Sequence, residues 1–205
     1  MTRNSSNRWS SGSKVLHWLL VVMIATEVPA GYLMANTYGP ALRHPDMLPL
    51  HHLLSQIHHT NGFLILALAA FRLGWRTRHP APGLPEGLQA YQRVLARATQ
   101  GFLYALLLAI PLTGWIALTV LADSEQFGKT SIWFFGTDSM PRLPFITPKP
   151  FDAPGGYGLF GPLHIYLVYA GGVLLALHVM GALWHHLVRR DQVLLNMWPG
   201  TAPRG

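Results

Sequence analysis

Imidazole is the chemically versatile side chain that this chain has in excess. Its 205 residues include 11 histidines against 8 carboxylates, and no cysteine. Without thiolates there are no disulfides, no iron–sulfur cluster, no cysteine-ligated zinc and no haem attached covalently through C-x-x-C-H. Metal or redox chemistry here must run on histidine. His164 and His178 stand 14 residues apart in one apolar run. On a helix that is about 40° short of four full turns, so both project from nearly the same face, ~21 Å apart along the axis. An ionisable residue inside a membrane span is costly and normally turned to the bundle interior, which makes it a candidate for function.

Each of these histidines needs a partner at its own depth. His17 lies near the start of the first apolar run, and His58 and His59 near the start of the second. Antiparallel helices then pair His58, or its neighbour His59 pointing ~100° away, with His164, and pair His17 with His178. His185 or His186 suits His17 better if the last span stops at Val188, and spacing alone leaves that choice open. Two imidazoles on facing helices, repeated at two depths, are what two bis-histidine haems require. Zinc would draw three or four ligands to one point.

Other residues fit around these levels. Gly31, 14 residues after His17, offers bare backbone where a porphyrin needs room. Arg72, 14 residues after His58, and Arg76 one turn further out are candidates to pair with haem propionates. For Arg72 the alternative is a snorkelling residue that only sets topology. Ala170, Gly171 and Gly172 lie midway between the last two histidines and allow close helix approach.

The elements that must position these residues are membrane spans. Half of the residues are hydrophobic and only 11% charged, about half the charged fraction of a soluble domain. A span needs about 20 mainly apolar residues. Val15 to Ala35, Gly101 to Ala122 and Leu163 to Val188 qualify readily. Leu53 to Trp75 is weaker, because His58, His59, Asn61 and Arg72 interrupt it. Counting it as a span puts eleven basic residues (Arg3, Arg8, Lys14, Arg72, Arg76, Arg78, Arg93, Arg97, Arg189, Arg190, Arg204) on one side. Only Arg43, Lys129, Arg142 and Lys149 fall on the other. The expectation is an all-α integral membrane four-helix bundle with both termini cytoplasmic. It forms a single domain, residues 1–205, with spans at about 14–36, 53–75, 100–122 and 163–188.

Topology accounts for the net charge of +7, so no nucleic-acid partner is expected; the partner is the lipid membrane. The first apolar block is too long for a signal peptide and has no small-residue cleavage site before Pro29. Residues 36–52 and the long, proline-rich 123–162 loop lie outside, the latter with an aromatic knot at Trp133, Phe134 and Phe135. Glu86 to Gln100 reads as an amphipathic helix leading into the third span. Arg43, His44, His51, His52 and Arg142 either draw an anion to the outer mouth or form an ordinary solvated loop. Glu27, mid-span, either carries protons or is a buried structural acid.

Several stretches resemble the bacterial cytochrome b561 family: K-V-L-H-W (14–18), I-H-H-T-N-G (57–62), F-R-L-G-W-R (71–76), P-L-T-G-W (111–115), L-H-x13-H (163–178), W-H-H-L-V-R-R-D (184–191) and L-L-N-M-W-P-G (194–200). Together they cover about residues 10 to 200. The resemblance implies a bacterial inner-membrane, multi-pass bundle holding two non-covalent haem b groups. Their iron ligands would be His17, His58, His164 and His178, which selects His58 over His59 and His178 over His185 and His186. It further implies an oxidoreductase-like electron conduit between a periplasmic one-electron donor, superoxide or a redox protein, and the quinone pool, with ubiquinone as substrate. The alternative it offers is a haem-b anchor subunit of a larger periplasmic enzyme such as a hydrogenase or dehydrogenase. A transporter using the histidines as proton or metal sites is the remaining rival.

Overall fold

The computed structural model describes residues 9–85, 87–121, 135 and 141–199. Arg3, Arg8, Glu86, Lys129, Trp133, Phe134 and Arg204 lie outside the described residues. Four long helices dominate: α1 (Ser11–Arg43), α2 (Leu48–Arg78), α3 (Ala90–Leu121) and α4 (Tyr157–Trp184). A wide helical turn, His185–Arg189, continues α4, and a short α5 (Val193–Met197) follows it. The all-α bundle expected from the sequence is present.

α1, α3 and the α4 helix with its wide turn are long and apolar enough to cross a membrane. At 1.5 Å per residue the 33 residues of α1 reach ~50 Å, well beyond the ~30 Å hydrocarbon layer. The helices therefore overrun the expected spans. Residues 36–52, expected as an outside loop, are mostly helix, and α1 and α2 are joined only through a 3₁₀ turn at Pro45–Met47. The amphipathic stretch before the third span does not stand apart from it: α3 starts at Ala90 and runs unbroken through both. α2, with 31 residues, is equally long. Its polar residues keep it out of the apolar class, and those are the residues nominated for chemistry.

α1 packs on α2 and α3 on α4, with α2 beside α3. α1 and α4 meet mainly through side chains reaching across the bundle. Large apolar side chains such as Phe102, Tyr166, Tyr169, Val173, Met180 and Leu187 point outward, which suits hydrocarbon and would be costly in water. Pro29 lies inside α1 and Pro111 inside α3. Each removes one backbone donor and loosens the ladder locally.

The chain is also tied at the end carrying both termini. Lys14 Nζ donates to the Trp198 carbonyl at 3.2 Å and Trp18 Nε1 to the Met197 carbonyl at 2.9 Å. The Trp18 and Trp198 rings pack edge to face, 5.1 Å apart. The chain reaches Trp18 by reversing after α4: Arg190 takes a left-handed conformation (φ 53°), and Asp191 clasps the turn. Asp191 Oδ2 is 2.6 Å from His185 Nδ1 and 3.3 Å from Arg189 Nε, while Oδ1 accepts the Val193 amide at 3.1 Å.

Burial by itself raises the pKa of Asp191. The donors on His185 and Val193, and the Arg189 guanidinium, outweigh burial and hold the carboxyl below its usual value. A depressed folded pKa stabilises the fold above the unfolded value near ~4, and that contribution disappears as pH falls through the folded pKa. Asp191→Asn is therefore expected to lower the stability of the detergent-solubilised protein at pH 7 by on the order of 1 kcal/mol. Thermal melts should show the gap between the two proteins closing below pH ~4.

Candidate functional site

The nominated histidines meet in two pairs, at two levels, with every long helix contributing at each. At the level nearer the α1–α2 connection, His58 on α2 faces His164 on α4, ring centres 6.2 Å apart and planes at 84°. At the level nearer the termini, His17 on α1 faces His178 on α4, ring centres 6.3 Å apart and planes at 69°. The sequence pairing is thus the spatial pairing. His59 is buried beside His58 and is not the ring facing His164. His185 is engaged by Asp191, and the ring that faces His17 is His178.

The spacing is informative. A first-row metal–imidazole bond is about 2 Å and the ring centre lies roughly 1 Å behind the nitrogen, so two rings sharing one metal stand about 6 Å apart. Among the described residues, no three His, Asp or Glu side chains converge as a metal cluster would need. The donors come in twos.

The first level is built closely. His164 Nδ1 lies 2.8 Å from the Ile110 carbonyl. A carbonyl only accepts, so Nδ1 carries the proton and Nε2 keeps the lone pair a metal requires. Thr113 donates to the Ala109 and Ile110 carbonyls at 2.8 Å. A Cβ on Gly114 would come within 3.1 Å of the His164 ring. The P-L-T-G-W stretch is thus the seat of His164. This role was not read from the sequence; its signal was a glycine and a threonine beside a proline in an apolar span.

His58 is seated on α1. A Cβ at Gly31 would stand 2.7 Å from its Cε1. The sequence reading reserved that space for a porphyrin, whereas the histidine ring itself occupies it. His58 Nδ1 is 2.9 Å from Glu27 Oε1, off the line of a good hydrogen bond, so the buried Nδ1 is left without a well-formed partner. Asn61 Nδ2 donates to Glu27 Oε2 at 3.0 Å and to the Met23 carbonyl at 2.9 Å. Glu27 is therefore hydrogen-bonded across helices and stands against His58.

At the other level, Arg72 Nε donates to the Tyr104 hydroxyl at 3.0 Å, and the guanidinium groups of Arg72 and Arg76 lie 5.8 and 5.2 Å from the Tyr104 ring centre. Arg72 is within electrostatic reach of both His17 and His178, the level expected for it. Tyr104 was not anticipated from sequence. The suggested outer mouth divides. Arg43, His44 and Arg142 are exposed, but His51 is only 5% exposed and its Nδ1 lies 3.1 Å from the Thr37 hydroxyl, which makes it structural.

Paired, level-matched imidazoles, with His58 and His164 seated on glycines and His164 keeping Nε2 open, fit haem iron. Comparison with known proteins agrees: residues 8–200 match the family described as prokaryotic cytochrome b561. The chain belongs to that family, and is a haem-b electron-transfer protein that crosses a bacterial inner membrane several times. It is 28% identical over 194 residues to cytochrome b561 homolog 2 of Escherichia coli (strain K12), covering 95% of this chain and 93% of the relative. It is likewise 28% identical to cytochrome b561 homolog 1 of the same organism, covering 94% and 98%. A Yersinia pestis protein named probable superoxide oxidase CybB is 24% identical, covering 90% and 92%.

Gly31→Val is expected to push the His58 ring out of register and lower the haem content of the purified protein, which haem quantification checks.

Proposed function

We propose that the two histidine pairs each hold one haem b, and that the protein moves electrons from a periplasmic one-electron donor, superoxide foremost, to membrane ubiquinone. The observation carrying this reading is the pair of facing imidazoles at two levels, 6.2 and 6.3 Å apart. Bound haem would supply reversible one-electron iron chemistry.

The residues supply everything else. His164 is held in the metal-binding tautomer by Ile110, and His58 is held in place by Gly31 and Glu27. Arg72 and Arg76 present guanidinium forks to propionates at the His17–His178 level. The surplus of basic residues at the termini end faces that end to the cytoplasm and leaves the His58–His164 level nearer the periplasm. There the exposed Arg43, His44 and Arg142 raise the local concentration of a small anion. The overall reaction balances as two superoxide, one ubiquinone and two protons giving two dioxygen and one ubiquinol. The name of the Yersinia pestis relative supports superoxide as donor.

A second reading has one observation in its favour. Phe145, on the segment before α4, is 93% exposed, which suits docking of a periplasmic redox protein to an anchor subunit.

The test is superoxide-driven ubiquinone reduction by the purified holoprotein in detergent. The proposal expects quinol formation catalytic in protein and abolished in His164→Ala. Full haem content without turnover would instead favour the anchor role.

A further inference from the structure

We infer that Glu27 and Arg72 polarise the two histidine pairs in opposite senses, so that an electron is held less tightly at the His58–His164 pair and moves from there to the His17–His178 pair. The inference rests on reading both pairs as haem ligands. It assigns a role to two charged residues and a direction to the transfer.

Glu27 lies in mid-helix with its side chain 17% exposed. An unsupported carboxylate there would be costly, and the fold supports it closely. Asn61 donates to Oε2 at 3.0 Å and also reaches the Thr26 hydroxyl at 3.3 Å. Gly62 carries a hydrogen where a Cβ would sit 3.2 Å from Oε1. The stretch His58–Gly62 thus supplies both the site histidine and the socket for the acid 2.9 Å from that histidine's Nδ1. A carboxylate this close to a ligand imidazole would place negative charge beside bound iron, which favours its oxidised form.

The other level carries the opposite sign. Arg72 stands 14 residues along the unbroken α2 from His58, ~21 Å away on the same helix and so at the His17–His178 level, and Tyr104 fixes its side chain at 3.0 Å. A positive charge there favours reduced iron. Between apolar helices these effects are weakly screened, because Coulomb energies scale inversely with the local dielectric. The transfer is one electron: the Glu27 level is oxidised and the Arg72 level reduced, with no proton moved and no bond formed or broken. The electron enters from the one-electron donor and leaves to quinone.

The experiment is a redox titration of the purified two-haem protein, with waves assigned from His164→Ala and His178→Ala, each left with one haem. The wave missing in His164→Ala is expected to be the lower in potential. Glu27→Gln should favour reduction of that haem about tenfold, a rise of about 59 mV for one electron, and leave the other wave in place. Arg72→Gln should shift the other wave downward, and it decides the matter independently should Glu27→Gln fail to fold. A higher potential at the His58–His164 level, or a Glu27→Gln protein whose waves move together or not at all, overturns the inference alone. Fewer than two haems per chain overturns the proposed function along with it.

Discussion

On the proposed reading, two facing imidazoles keep lone pairs for a shared iron inside hydrocarbon, with no water available to satisfy the nitrogens behind them. Most of the packing around the site follows from that demand. A neutral imidazole has one donor and one acceptor nitrogen. To keep Nε2 free, Nδ1 must give its proton to something close, buried and unable to donate. Ile110 does this for His164 through its backbone carbonyl. Glu27 approaches the same atom of His58 through a carboxylate. Ring position requires a second device, the bare backbone of Gly31 and Gly114 on the two flanking helices. Each histidine is thereby held by a helix other than its own, and the four helices become interdependent at that level.

The same demand explains why α2 is the least apolar of the long helices. It carries His58, Asn61, Gly62, Arg72 and Arg76 within five turns. Each is turned to a partner on another helix rather than to lipid, as charged and polar residues in a membrane must be. Its stability comes from α1 and α3, which flank it. At the termini end the tie between the C-terminal segment and α1 brings Trp18 and Trp198 together beside His17. The Asp191 clasp determines where the chain turns back to reach them.

Much of this was legible in the residues, for a simple reason. Helical periodicity is regular enough that a 14-residue interval places His164 and His178 on one face, and antiparallel spans convert order along the chain into depth. Those two facts gave the two levels and the level of Arg72, leaving His59, His185 and His186 as alternatives; the resemblance to the family selected the pairs His17–His178 and His58–His164. What was not legible came from the other helices. Ile110, Thr113, Gly114 and Tyr104 belong to a span with no charge and no histidine, where the P-L-T-G-W stretch signals the family but not that it seats His164. Glu27 stood out as an acid in an apolar run, but only the rotation of α1 against α2 reveals that it faces His58. The helices run past the expected spans because hydropathy reports the hydrocarbon segment alone, and Ser11–Arg43 and Leu48–Arg78 are longer than that segment. His51 illustrates the reverse error, a polar residue assigned to a loop that is buried on a helix.

Both pairs cross at a steep angle, 84° at one level and 69° at the other. Nearly perpendicular imidazole planes give oxidised low-spin iron a highly anisotropic paramagnetic resonance signal, distinct from that of parallel ligands. Low-temperature electron paramagnetic resonance of the oxidised holoprotein, integrated against chain concentration, therefore tests the ligand assignment most directly. The account predicts two such low-spin signals per chain, one vanishing with His164→Ala and the other with His178→Ala. A single signal, a high-spin signal in the intact protein, or both signals surviving either substitution would contradict it.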